Sequence, residues 1–181
     1  MPTPLIQRGK GNQNYQEVGP EFPLAVEVYQ NPDSKEIVIT SHVFTASRRQ
    51  IPGIGTAADY ASGDAFGLSF TIDVPKEGVI SSVIFYDLDD EGLNKEIFLA
   101  NLAFTETADN AAFAVSDADL LNSIGVISID TWYNYGNNQL GIATPAIWYT
   151  APERKLWCQF ITRGADDIAA GSLPEVRLVI T

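Results

Sequence analysis

Turn signals interrupt this chain at short, nearly even intervals, and that spacing limits the fold more than any other property of the sequence. Asn31-Pro32-Asp33-Ser34, Lys76-Glu77-Gly78, the polar run around Gly92, Asn137-Asn138 with Gly141, and Pro152-Glu153 each separate stretches rich in Val, Ile, Thr and aromatic residues. Such stretches suit a pleated, half-buried surface, and turns roughly every ten residues leave room for short strands and little else. Strands are expected over 25–29, 36–45, 68–74, 79–88, 96–104, 126–129, 145–150, 155–162 and 175–181. The reading is all-β: a single β-sandwich or jelly-roll domain with one short helical insert and an extended N-terminal arm. No fixed longer repeat runs through the sequence, which argues against a solenoid or propeller.

Individual strands carry more detail. Residues 79–88 are too apolar for a strand with one wet face, so this strand is expected at the centre of a sheet. The turn 87–95 that follows is short, which predicts residues 96–104 as its antiparallel neighbour. Residues 155–162 alternate in the half-buried manner, and in 175–181 Val176, Leu178 and Ile180 share one face. Residues 46–67 form a long glycine-rich connection of the kind that is either functional or packed on a neighbour. Residues 1–24, with prolines and glycines and little periodicity, read as the extended arm, and 25–181 as the sandwich domain.

The helical insert lies in 109–135 (DNAAFAVSDADLLNSIGVISIDTWYNY). Ser116 is a good N-cap, and Asp117 and Asp119 fall in the first turn, where the helix dipole favours acids. Leu120, Leu121 and Ile124 supply an apolar face, and Gly125 is a natural stop. A strand–helix–strand insert of this type is expected to cap one open end of the sandwich.

The 181 residues carry a formal charge of −12, with 45% hydrophobic and 19% charged residues, a globular composition. So acidic a chain is a poor match for a phosphate backbone, so no nucleic-acid partner is expected. No apolar run is long enough for a membrane helix, and no basic region followed by an apolar core opens the sequence, so a chain folded in a cytoplasm is expected. The single cysteine, Cys158, lies between Trp157 and Phe160 and reads as a small buried hydrophobe.

Candidate chemistry is sparse. His42, the single histidine, has no nucleophile arranged beside it in the sequence. Asp87, Asp89, Asp90 and Glu91 suggest a calcium loop, but the EF-hand spacing and its helical flanks are missing; a solvated turn is the simpler reading. Asp73 with Glu77, or Asp117 with Asp119, are carboxylate pairs that nothing in the sequence places across a cleft. Trp132, Tyr133, Tyr135, Trp148, Tyr149 and Trp157 suit a sugar platform or an interface between subunits. There is no phosphate-binding loop, dinucleotide fingerprint or Cys/His cluster, so no enzyme activity, cofactor or metal is expected.

One ordered set of segments resembles a known family. ADYASGDAFG opens a strand; GVISSVIFYDLDD and EIFLANLAF follow; then come DNAAFAVSDADLLNSIGVISI, LWCQFITRG and LPEVRLVIT. This order, over residues 57–181, resembles small all-β virion structural proteins of tailed bacteriophages. The resemblance implies a virion component made in the host bacterial cytoplasm, most simply a head decoration (cement) protein. Such a protein is expected to form homotrimers and to bind the major capsid protein or other virion proteins. A tail, baseplate or fibre component and a carbohydrate-binding module for host glycans are the alternatives. The expected assembly contacts are Leu5, Ile6 and Tyr15 in the arm and Trp132, Tyr133 and Tyr135 after the helix.

Overall fold

The computed structural model describes residues 28–30, 37–39, 43–55 and 59–181. They belong to two compact units, residues 1–42 and 43–181. In the first unit β1 (Val28–Gln30) and β2 (Ile37–Ile39) pair antiparallel, with Val28 opposite Ile39. The expected arm contacts Leu5, Ile6 and Tyr15, and His42, lie outside the described residues.

The second unit is an all-β sandwich. Its strands are β3 (Phe44–Thr45), β4 (Arg49–Gln50), β5 (Ala65–Asp73), β6 (Glu77–Asp87), β7 (Lys95–Ala100), β8 (Ser123–Ile129), β9 (Thr131–Asn134), β10 (Gln139–Ala143), β11 (Ile147–Thr150), β12 (Lys155–Thr162) and β13 (Glu175–Ile180). One sheet has the order β3-β13-β6-β10-β9, with β4 beside β13 and β11 beside β6; the other has the order β5-β12-β7-β8. All pairings are antiparallel. The pairing of β7 with β12 is nested within that of β6 with β13, as in a jelly roll.

The core lies between the sheets. Val83 and Phe85 of β6 and Val176, Leu178 and Ile180 of β13 face Phe66, Ile97, Leu99, Ile127, Leu156, Cys158 and Phe160 of the opposite sheet. Phe85 meets Phe160 edge-on across this gap, with ring centroids 5.2 Å apart, and each such ring contributes roughly 1.5–3 kcal/mol by leaving water. Cys158 is fully buried, as expected, and burial pushes its thiol pKa upward. The strand over 79–88 is central, and β12 and β13 fall where the sequence places them.

Several expectations are corrected. β7 does not pair with β6: the segment 88–94 carries the chain from one sheet to the other, and β7 lies between β12 and β8. A polar link between two apolar strands looks the same whether it turns a hairpin or crosses the core, so length alone misleads here. β12 is buried on both faces and not half-buried, because residues 104–115 cover the outside of its sheet. The long connection after Ala46 packs on its own domain, with Ile51, Ile54 and Tyr60 in the core.

The 109–122 segment also lies elsewhere than expected. It crosses the outer face of the four-stranded sheet, where Phe104, Phe113 and Val115 pack on Phe98, Ala100 and Ile161. Helix α1 (Asp117–Leu120) is a single turn with no buried residue, and Leu121 is 87% exposed. The cap is as expected: Ser116 accepts the Asp119 N–H at 3.1 Å. Gly125 does not stop the helix but sits inside β8.

Candidate assembly surface

A sandwich has free strand edges, and rows of unpaired N–H and C=O groups invite another strand to pair with them. In this protein the outer edge of β5 is covered from within. Ala65, Gly67 and Ser69 turn their N–H groups away from β12, and each finds an acceptor on the segment 106–111. The Ala65 N–H donates to the Ala111 carbonyl at 2.8 Å, the Gly67 N–H to Asp109 Oδ1 at 2.7 Å, and the Ser69 N–H to Glu106 Oε2 at 2.7 Å. Asp109 also accepts the Tyr60 hydroxyl at 2.7 Å and the Gly55 N–H at 2.9 Å. Burial and the Asp109 carboxylate raise the Tyr60 pKa, so the phenol stays protonated and keeps donating. Gly67 has φ +78°, and a Cβ there would come within 2.7 Å of the Pro52 carbonyl, so a side chain is excluded where the seal closes.

Gln159, wholly buried on β12, locks the same segment. Its Nε2 donates to the carbonyls of Gly67 at 3.0 Å and Thr107 at 2.6 Å, and its Oε1 accepts the Thr107 N–H at 3.1 Å. The sequence pattern does not reveal this residue, because a Gln in an alternating strand reads as a solvent-facing position.

The opposite situation holds at β9. It pairs with β10 on one side and ends its sheet on the other. Tyr133 on this strand is 49% exposed and Tyr135 just beyond it 68%. Tyr133 opposes Leu140, which opposes Tyr86, which opposes Glu175, so one row runs across the outer face of the sheet. The row ends in charge: the Arg48 and Arg177 guanidinium groups lie 5.5 and 6.0 Å from the Tyr86 ring centre, and Arg48 pairs with Glu175 at 3.1 Å. A shallow groove lined by Val126, Ser128, Thr131, Ile142 and Thr144 opens beside the strand.

Trp132, expected with the two tyrosines, points the other way. Its ring meets Phe85 edge-on at 5.7 Å, and its Nε1 donates to Asn94 Oδ1 at 3.3 Å. Gly141 lies between Phe85 and Trp132 in the sheet, and a Cβ there would come within 3.0 Å of the indole, so this glycine makes room for the ring. The aromatic set is therefore divided. Tyr149 is buried, Trp157 packs in the outer cluster with Phe113, and Tyr133, Tyr135 and Trp148 remain exposed. Trp148 opposes Val79, whereas the Tyr133 row crosses β6 at Tyr86. Seven residues of strand separate the two by ~20 Å, too far for one sugar platform.

The acidic turn works as a fastening. Asp87 accepts the N–H groups of Asp89 at 2.9 Å and Gly92 at 2.7 Å. Asp90, at φ +58°, accepts Asn134 Nδ2 at 3.1 Å and Gln139 Nε2 at 3.0 Å, tying the β9–β10 hairpin to this turn. Asp89 accepts the Ala169 N–H. Among the described residues no group of three or more His, Cys, Asp and Glu side chains is arranged to hold a metal ion. Of the carboxylate pairs, Asp73 lies near Arg49 at the surface, and Asp119 serves the helix cap. Among those residues no helix is long and apolar enough to cross a membrane.

One polar cluster is fully enclosed, and sequence reading misses it. Lys95, 2% exposed, donates from Nζ to Asp166 Oδ1 at 2.6 Å and to the Leu93 carbonyl at 2.8 Å. Asp166 is inaccessible; its Oδ2 accepts the Thr162 hydroxyl, and its backbone carbonyl accepts the Tyr60 N–H at 3.1 Å. The rings of Phe66, Trp132 and Phe85 stand 5.0, 5.8 and 5.9 Å from Nζ. Burial lowers the Lys95 pKa, opposed by the Asp166 carboxylate.

No protein-family model matches the chain, and no curated protein or solved structure matches it. The fold and site define an all-β sandwich with one strand edge sealed and another left open beside exposed tyrosines.

Proposed function

We propose that this chain is a structural component of a tailed-phage virion, a head decoration protein that binds the outside of the capsid and stabilises it. It acts without catalysis or cofactor, as a repeated docking part, and assembles as a homotrimer made in the bacterial cytoplasm and carried on the virion. The observation that carries this reading is the open edge of β9 with Tyr133 and Tyr135 beside it, on a sandwich that closes its β5 edge from within. Exposed tyrosines bring large, rigid contact area at low entropic cost, which suits a protein partner. The motif order over 57–181 supports the virion class, and the charge of −12 suits docking on a basic shell. Leu5, Ile6 and Tyr15 serve as arm anchors on a neighbouring subunit; full assembly by a protein lacking residues 1–20 removes them from the proposal.

The test is co-sedimentation with undecorated heads, together with solution mass at several concentrations. The expected result is a trimer that pellets with heads in high copy number. The double variant Tyr133→Lys, Tyr135→Lys is expected to keep its stability within about 0.5 kcal/mol, both side chains being exposed, and to stay in the supernatant. Binding in small multiples at a tail moves the protein to the tail or baseplate. A monomer that ignores virions but binds glycans establishes the carbohydrate-binding reading instead.

A further inference from the structure

We propose that Lys95 and Asp166 join through a spontaneous intramolecular isopeptide bond, making the sandwich covalently cross-linked between β7 and the loop after β12. The geometry is that of a reacting pair. Nζ lies 2.6 Å from Oδ1, and at an ordinary hydrogen-bond angle of about 120° on that oxygen the Asp166 carboxyl carbon is about 3.4 Å from Nζ, near the ~3–3.5 Å of a near-attack contact. Neither partner has freedom to leave. Lys95 begins β7 directly opposite Thr162 of β12, its Nζ is held by the Leu93 carbonyl, and the Asp166 backbone is held by Tyr60. Three aromatic rings enclose the amine, so competing water is kept away.

The enclosure also favours the neutral forms. A buried ion pair keeps its charges only against a large desolvation cost, and moving one proton from Nζ to the carboxylate removes both charges. Burial lowers the Lys95 pKa, while Glu91 is raised by burial and by the carboxylates of Asp166, Asp87 and Asp89. The amine thus holds its third proton loosely.

The step balances without any outside reagent. After the proton transfer, the Nζ lone pair attacks the carboxyl carbon and the N–C bond forms. The Thr162 hydroxyl, on Oδ2, donates to the oxyanion that develops there. Oδ1 then leaves as water, taking the transferred proton and a second one from Nζ. The product amide finds partners already in place, with its N–H beside the Leu93 carbonyl and its C=O on Thr162.

Intact mass of the purified full chain under denaturing conditions decides the matter. The expected mass is lower than that of the sequence by one water molecule. Trypsin is then expected not to cut after Lys95 and to release 164–177 only as a branch on the peptide that contains Lys95. Lys95→Arg, whose guanidinium is no nucleophile, is expected to restore the full mass, and Asp166→Ala likewise. A wild-type chain that keeps its full mass after prolonged incubation in the folded state, with a free 164–177 peptide, overturns the proposal without reference to any variant. A water loss that persists in Lys95→Arg also overturns it, by placing the bond elsewhere.

Discussion

The two strand edges at β5 and β9 solve one problem in opposite ways. β5 is nine residues long, and three of its outward N–H groups end on Asp109, Glu106 and the Ala111 carbonyl. β9 has four residues, and no strand or strap of the described residues lies along its outer side. A long flat edge left open is a template for uncontrolled pairing, whereas a short one limits the partners it can take. The difference teaches that the DNAAF segment is an edge cover. Asp109 takes the backbone donors, Asn110 turns at φ +58°, and Phe113 drops into the outer cluster. The open border at β9 is short and carries the exposed tyrosines.

The strongest way to break this contrast is to unseal β5. Asp109→Ala removes an acceptor from two backbone N–H groups and the Tyr60 hydroxyl, of which Gly67 and Tyr60 are buried. Orphaned buried donors cost about 1–3 kcal/mol each, so a loss of roughly 3 kcal/mol is expected in urea unfolding. The same variant is expected to self-associate through β5, read as concentration-dependent mass. If Asp109→Ala unfolds at the wild-type midpoint and stays dispersed, the seal is not what keeps β5 apart.

A smaller effect is expected at the open border. Asp90→Ala removes the carboxylate bonds to Asn134 and Gln139, leaving Gln139 only its bond to the Asp90 carbonyl at 3.1 Å, and puts alanine at φ +58°. These bonds are exposed, so the expected cost is about 1 kcal/mol, with faster amide exchange confined to β9 and β10. Asp90→Gly keeps the backbone conformation relaxed and is expected to lose only the hydrogen bonds. Equal exchange in the two variants would assign the whole effect to the side chain.

How far the sequence carried these features depended on how local they were. The Ser116 cap and the alternation of β13 are set within a few residues and could be read directly. The partner of β7 could not, because sheet membership is decided by what packs across the core. Nor could the apolar face assigned to Leu120 and Leu121, since α1 has one turn and its sheet is already covered by Phe104 and Phe113. Lys95 and Asp166 lie 71 positions apart, and each alone looks like an ordinary surface charge. Asp109 belongs to a distinctive segment, but its role depends on Gly67 and Gly55, far away in sequence. Tyr133 and Tyr135 share one face by strand alternation and are exposed, whereas Trp132, one residue earlier, falls on the other face and turns inward over Gly141.

The smallest effect sharpens the comparison from the side of charge. Glu91 lies in the turn that fastens the β9–β10 hairpin, and its pKa is raised by burial, by Asp166 as long as that carboxylate is free, and by Asp87 and Asp89. A folded-state pKa above the unfolded one means that the native protein binds this proton more tightly. The resulting stability is fully present below the unfolded value of about 4.3 and is lost as pH rises through the folded value. Glu91→Gln cannot ionise, so at neutral pH it is expected to be slightly more stable than the wild type, and near pH 3 equal to it. Part of Glu91 remains accessible, so solvent screens the repulsion and the gain is small. Paired unfolding curves at the two pH values check this. A variant less stable than the wild type at neutral pH would mean that the Glu91 carboxylate holds the turn by contacts stronger than the repulsion it meets. The acidic turn would then fasten the open border with a fourth carboxylate, besides Asp87, Asp89 and Asp90.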